Sequence, residues 1–213
     1  MTSPLTVASY PRATVILRDV TVELADAVVE TIAEERLGIA VEITRNSANF
    51  GDIKRYAARH PHLAIGAGTV LDVADAQSAI DLGCRFILSP VVLDRSVVEL
   101  CHSAGVLVVS GAYTPTEIHN AVRNGADIVK VFPIRQLPTS YLMDIRAPLG
   151  DVPLMGVGGV SIANMGELFS HGIDYVGLGS SLFGGASPSL EQIQFVLRGL
   201  NAAGAIDGAT LDR

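Results

Sequence analysis

Short apolar runs alternate with longer amphipathic stretches from one end of the chain to the other. The runs are four to six residues long and rich in Val, Ile and Ala, the pattern of strands buried on both faces. They predict strands at Thr14–Leu17, Ile39–Thr44, Leu63–Ala67, Phe86–Ser89, Val106–Ser110, Ile128–Phe132, Val152–Met155 and Tyr175–Leu178. Between them apolar residues recur at helical spacing, which predicts helices at Leu24–Glu35, Asp52–Arg59, Val73–Leu82, Arg95–Ala104, Pro115–Asn124, Ser140–Ala147, Asn164–His171 and Leu190–Ala203. Gly38, Gly83, Gly105, Gly125 and Gly172 each precede a strand, where a left-handed helix cap is expected. Eight strand–helix units in this order predict an α/β protein, a single (β/α)8 TIM barrel. A doubly wound open sheet is the competing arrangement, but it carries a glycine loop after its first strand, and none follows Leu17.

Composition narrows the class. The 213 residues are 49% hydrophobic and 17% charged, enough for one full core, and no linker or low-complexity segment divides them. Residues 1–213 are therefore expected to form one domain. A net charge of -7 argues against general affinity for nucleic acid or an anionic membrane, so an anionic ligand must be held by local groups. Cys84 and Cys101 are too few for a disulfide framework and read as buried, reduced thiols. No apolar run reaches a membrane-spanning length, and no basic flank precedes an apolar core near Met1, so a cytoplasmic protein without a signal peptide is expected.

Candidate chemistry collects at the ends of the predicted strands, where sites form in such barrels. In strand six, Ile128, Lys130 and Phe132 share one face. An amine among apolar neighbours loses hydration, which favours the neutral, nucleophilic form able to condense with a carbonyl. A lysine near a strand end can equally extend its ammonium to solvent. In strand two, Ala40, Glu42 and Thr44 share a face, and a carboxylate there is costly unless paired or functional. Strand three runs into Gly66-Ala67-Gly68-Thr69, and strand four ends at Ser89-Pro90. Strand seven leads into Gly156-Val157-Gly158-Gly159-Val160-Ser161, and strand eight into Gly177-Leu178-Gly179-Ser180. Glycine loops after strands seven and eight, each ahead of a helix, form phosphate sites in many barrels; small residues there also serve strand–helix packing. His60, His62, His102, His119 and His171 show no metal-ligand spacing, so a metal-free site without a cofactor is expected.

This ordered set resembles the 2-keto-3-deoxy-6-phosphogluconate / 4-hydroxy-2-oxoglutarate aldolases. The residues that carry the resemblance are Glu42, Gly66-Ala67-Gly68-Thr69-Val70, Ser89-Pro90, Lys130-Val131-Phe132-Pro133, Gly158-Gly159-Val160-Ser161 and Gly179-Ser180. The resemblance implies a class I aldolase, often a homotrimer, that splits a 2-keto-4-hydroxy acid into pyruvate and an aldehyde. By it Lys130 matches the Schiff-base lysine and Glu42 the general acid/base. Thr69 and Pro90 match the pyruvate pocket, and Phe132 lies in the lysine's motif. Gly158, Gly159, Ser161, Gly179 and Ser180 match the phosphate-end loops, and Arg18 an arginine after strand one. Asn46 stands where gluconate-type members have arginine and galactonate-type members have asparagine. Val91 follows Pro90 where glycine or asparagine is frequent, Ser110-Gly111 replaces Pro-Gly, and Ile134-Arg135 replaces Ala-Glu. Arg45 and Arg135 are candidates for a substitute cation. Other phosphate-binding barrels (an epimerase, a synthase or a binder without turnover) are the competing readings.

Overall fold

A computed structural model describes residues 3–138, 140–184 and 188–205, with 180 and 181 described for the main chain alone. Eight parallel strands close into a barrel in sequential order, β1 pairing with both β2 and β8. The elements are β1 (Ala13–Leu17), α1 (Val22–Glu34), β2 (Ile39–Thr44), α2 (Ile53–Arg59), β3 (Ile65–Gly68), α3 (Val73–Asp81), β4 (Phe86–Leu88) and α4 (Arg95–Ser103). They continue with β5 (Leu107–Ala112), α5 (Pro115–Asn124), β6 (Ile128–Val131), α6 (Ser140–Leu149), β7 (Leu154–Val157), α7 (Met165–Ser170), β8 (Tyr175–Gly179) and α8 (Leu190–Ala205). The expected (β/α)8 barrel is the observed one. Short 3₁₀ turns at Val7–Ser9, Phe50–Asp52, Ile134–Gln136 and Ser180–Phe183 have no counterpart in the apolar pattern.

Local chemistry explains the helix ends. In α5, Thr114 and Glu117 form a reciprocal capping box, Pro115 opens the helix, and Gly125 closes it at φ 97°. Gly38 does not take the expected left-handed cap; that conformation falls on Arg36 at φ 52°, and the Gly38 amide donates to Asn201 Oδ1 on α8 instead. Strand β7 begins two residues later than expected. Pro153 has no N–H to enter the ladder, so it contributes only its carbonyl, to Val129, and regular pairing starts at Leu154. Strand β6 ends at Val131 for a related reason, with Pro133 two residues on.

Two apolar layers result. Outward-facing Val15, Val41, Val129 and Val131 pack against helix faces such as Leu24, Val28 and Ile32 of α1. Inward-facing Ile16, Ala40, Phe86, Leu107, Val109, Ile128, Met155 and Tyr175 fill the barrel. The N-terminal mouth is plugged by Tyr10, whose ring meets Phe86 and Tyr175 edge-on at centroid distances of 5.1 and 5.6 Å. The Tyr10 and Thr14 hydroxyls lie 2.9 Å apart in a hydrogen bond, which satisfies both inside this apolar plug. Cys84 and Cys101 are buried free thiols, each pushed up to about 12 by burial. Among the described residues no helix is long and apolar enough to cross a membrane.

Candidate active site

The C-terminal end of the barrel is built differently from the plugged end. Glycines let neighbours close in around it: Gly66 and Gly177 make room for Phe86 and Val157, Gly68 on β3 for Glu42, and Gly111 on β5 for the loop after β4. A Cβ on Gly68 would fall 1.4 Å from Glu42 Oε1, so glycine there is the condition for the carboxylate to lie across β3. A Cβ on Gly111 would fall 2.4 Å from the Pro90 carbonyl carbon, so the loop after β4 rests on bare β5 main chain. Two buried hydroxyls hold that loop. Ser89 Oγ accepts the Val91 amide at 3.2 Å, and Ser110 Oγ accepts the Leu93 amide at 2.9 Å. The Gly111 amide in turn donates to the Val91 carbonyl at 2.9 Å.

Glu42 and Lys130 both face this opening and are only 1% and 5% exposed, so the snorkelling alternative for Lys130 does not hold. The Glu42 carboxylate accepts a hydrogen bond from the Thr44 hydroxyl at 3.1 Å. Burial raises its pKa from 4.5 to about 7, opposed by the Lys130 ammonium, then by Thr44 and Arg18. Burial lowers Lys130 from 10.5 to about 8, opposed by the Glu42 charge and reinforced by the Arg18 guanidinium. The two groups thus approach one another in proton affinity, within one electrostatic neighbourhood that includes Arg18 at the rim. The Phe132 ring lies under the amine, its centroid 5.1 Å from Nζ.

Thr69 follows β3 in a left-handed conformation, φ 59°, costly for a β-branched residue. Its neighbours are tied on both sides. The Arg45 amide donates to the Gly68 carbonyl at 2.9 Å, and the Arg45 guanidinium meets Asp75 at 2.6 Å. The other Asp75 oxygen accepts the Leu71 amide at 3.0 Å. Arg45 is therefore engaged in joining the loops after β2 and β3. Asn46 is exposed beside it, and Ser47 Oγ accepts the Asp19 amide at 3.2 Å, which links that loop to the one after β1.

The glycine loops after β7 and β8 reach the same end of the barrel. Gly158 and Gly159 have φ of 89° and 93°. Gly158 sits on the Phe132 ring, where a Cβ would come within 3.1 Å, and its carbonyl accepts the Arg135 amide at 3.0 Å. Asn164, which the motif pattern does not single out, braces the loop: its Oδ1 accepts the Ser161 amide at 2.8 Å and its Nδ2 donates to the Gly159 carbonyl at 3.0 Å. The Ser161 main-chain donor is thereby occupied, while its side chain is exposed. The expected helix behind this loop is α7, only six residues long, so a strong helix-terminus contribution does not materialise. At Gly179 a Cβ would meet no atom of the described residues within 4 Å, so none of them requires glycine there. The Ser180 side chain lies outside the described residues.

The histidines fall away from this end. His60 and His102 contact Glu30 and Asp127 at 3.2 and 2.9 Å, and no group of three or more metal-ligating side chains occurs among the described residues. A cavity of about 80 Å³ lined by Ala57, His60, Leu63 and Arg85 lies apart from Glu42 and Lys130. The Arg85 guanidinium there is spent on the carbonyls of His62, Leu63 and Ser3.

Comparison with known proteins agrees with this geometry. The family model described as KDPG and KHG aldolase matches residues 11–195. A Rhizobium meliloti (strain 1021) protein named as a probable 2-dehydro-3-deoxy-6-phosphogalactonate aldolase is 39% identical over 171 residues, 79% of this chain and 80% of that protein. The 2-dehydro-3-deoxy-6-phosphogalactonate aldolase of Escherichia coli (strain K12) is 30% identical over 174 residues, 79% of this chain and 82% of its own. A solved structure described as native KDPGal superposes with a TM-score of 0.78 at 29% identity, covering 90% of this chain and 93% of that one. A Zymomonas mobilis aldolase structure at 22% identity shares the fold, with a TM-score of 0.80 over 93% of this chain and 97% of its own.

Proposed function

The chain belongs to the family of KDPG and KHG aldolases, and on that membership we propose that it is a class I aldolase acting through a Schiff base on Lys130. The substrate is a 2-keto-3-deoxy-6-phospho sugar acid, cleaved to pyruvate and a phosphorylated aldehyde. Asn46 and the two galactonate-named relatives support the galactonate epimer ahead of the gluconate epimer or 4-hydroxy-2-oxoglutarate. One observation carries the mechanism: an amine and a carboxyl, 5% and 1% exposed, share the open end of the barrel, where burial lowers the proton affinity of the one and raises that of the other.

Neutral Lys130 attacks the substrate C2 carbonyl, and water leaves to give an iminium. Glu42, as carboxylate, removes the C4 hydroxyl proton directly or through water. The C3–C4 bonding electrons then flow into the iminium, leaving an enamine on Lys130 and releasing the aldehyde. Glu42 returns the proton to C3, and hydrolysis frees pyruvate and the amine. Thr69 and Pro90 bound the pyruvate end above Phe132, with Arg18 near the charged groups. Gly158, Gly159, Ser161, Gly179 and Ser180 receive the phosphate; the open space at Gly179 supports a ligand role over a packing role.

Residues 1–213 are read as one aldolase domain, supported by the extent of the family match and by a single closed barrel. A homotrimer follows from the family resemblance, and two buried free thiols suit a reducing cytoplasm.

The test is borohydride trapping with pyruvate, read by intact mass and peptide mapping. The chain has two lysines, Lys54 and Lys130, and Lys54 is exposed on α2. Lys130 is expected to carry the reduced pyruvyl group, with activity lost in step with incorporation. Lys130→Arg abolishes both, because a guanidinium stays charged. Modification of Lys54, or of neither lysine, removes the Schiff-base reading.

A further inference from the structure

The loops assigned to the phosphate lack charge of their own. The protein carries a net charge of -7, α7 is too short to act as a strong dipole, and the Ser161 amide is already bonded to Asn164. A dianionic phosphate ester in this setting calls for a cation. Arg45 is held by Asp75 at 2.6 Å, Lys130 is the reacting amine, and the charge of Arg18 acts on Glu42 and Lys130. Arg135 remains.

Its position is specific. The Arg135 amide donates to Gly158, and its side-chain stem lies along the Gly159 main chain. A Cβ on Gly159 would come within 2.5 Å of Arg135 Cβ, 3.1 Å of Cδ and 3.2 Å of Cγ. Glycine at 159 is thus demanded by the arginine as well as by its φ of 93°. Among the described residues no hydrogen bond or ion pair engages the exposed Arg135 guanidinium.

We propose that Arg135, laid along Gly159, is a specificity-determining residue that binds the substrate's phosphate monoester. This deepens the aldolase reading above and rests on it. A guanidinium presents paired N–H donors that match two phosphate oxygens, which a lysine ammonium cannot reproduce as a fork.

The experiment measures inorganic phosphate binding by calorimetry at low ionic strength for the wild type, Arg135→Gln and Arg135→Lys. Pyruvate trapping on Lys130 runs in parallel, since pyruvate carries no phosphate and reports the other end of the site. Expected is a roughly tenfold weaker phosphate affinity in Arg135→Gln, the worth of one charge-assisted hydrogen bond, with partial recovery in Arg135→Lys. With the phosphorylated keto acid as substrate, the KM of Arg135→Gln rises by a similar factor and kcat holds. Phosphate binding equal in wild type and Arg135→Gln, or no binding to the wild type, overturns the proposal. Loss of phosphate binding in the variant, alongside a wild type that cannot trap pyruvate, keeps Arg135 as a phosphate ligand and discards the aldolase chemistry instead.

Discussion

At the residue scale, Lys130 and Glu42 stand out in the sequence because each breaks the composition of a strand that is otherwise apolar. What the strand pattern cannot convey is their mutual effect on ionisation, which depends on the barrel bringing β2 and β6 to one opening. That effect has a sign. Imine formation requires a neutral amine, so the pyruvate trapping rate is expected to rise with pH through about 8, where Lys130 loses its proton. Glu42 holds the ammonium in place, so Glu42→Gln moves that midpoint to lower pH. The Arg18 charge disfavours the ammonium, so Arg18→Gln moves it higher. Glu42→Gln is also expected to lose ~10²–10⁴-fold in cleavage rate, the usual worth of general acid/base catalysis, while retaining pyruvate affinity. Trapping rates against pH for the three proteins decide the matter. A midpoint unmoved by either substitution means that Lys130 does not sense these neighbours. Asn164 is missed at this scale, and Gly68 and Ser110 are visible only as members of motifs without a role, because all three act through shape or main-chain contacts that leave no chemical signature in a one-dimensional pattern.

At the element scale, the order of eight strands and eight helices is readable because each buried strand needs a continuous apolar run and each helix an apolar stripe. Boundaries drift where a proline withholds a donor, as at Pro153, whereas the segment after β4 is fixed outside any regular element by the Ser110 hydroxyl of β5, which accepts the Leu93 amide. Arg45 illustrates the limit. In sequence it is a loop cation available for substrate; in the fold it joins the loop after β2 to Asp75, which is 7% exposed at the start of α3. Asp75 also satisfies the Leu71 amide two residues beyond the strained Thr69. Asp75→Ala is therefore expected to cost about 0.5–1.5 kcal/mol, the net worth of a hydrogen bond whose freed donor can reach water, since Leu71 is exposed. It should also raise the KM for pyruvate as Thr69 relaxes. Urea unfolding and pyruvate saturation curves measure the two effects. A stability loss with an unchanged pyruvate KM would confine the clasp to structure. The glycines divide similarly. Gly179→Ala should fold as well as the wild type yet weaken binding of the phosphorylated substrate, whereas Gly68→Ala displaces Glu42 and should slow cleavage.

At the scale of the whole molecule, one end of the barrel is packed for stability and the other holds two buried ionisable groups that oppose it. Linkage gives the direction. Folded Glu42 binds its proton more tightly than an unfolded carboxyl, so its contribution falls as pH rises from 4.5 to about 7. Folded Lys130 binds its proton less tightly, so its contribution recovers only as pH rises from about 8 towards 10.5. Between about 7 and 8 both groups depress stability, the familiar tension between a working site and a tight fold. A double variant, Glu42→Met with Lys130→Met, replaces the pair by flexible apolar chains of similar length. It should be inactive and more stable than the wild type by about 1–4 kcal/mol at pH 7.5, the range found when buried ion pairs give way to apolar residues. Lys130→Met alone should fall below the double variant as pH rises to 10, because without the Lys130 ammonium Glu42 binds its proton still more tightly and its ionisation then costs more. Urea midpoints at pH 5, 7.5 and 10 for the three proteins carry the test, with the advantage of the double variant expected to be greatest at pH 7.5. A double variant less stable than the wild type at that pH would show that the pair holds the barrel together rather than straining it.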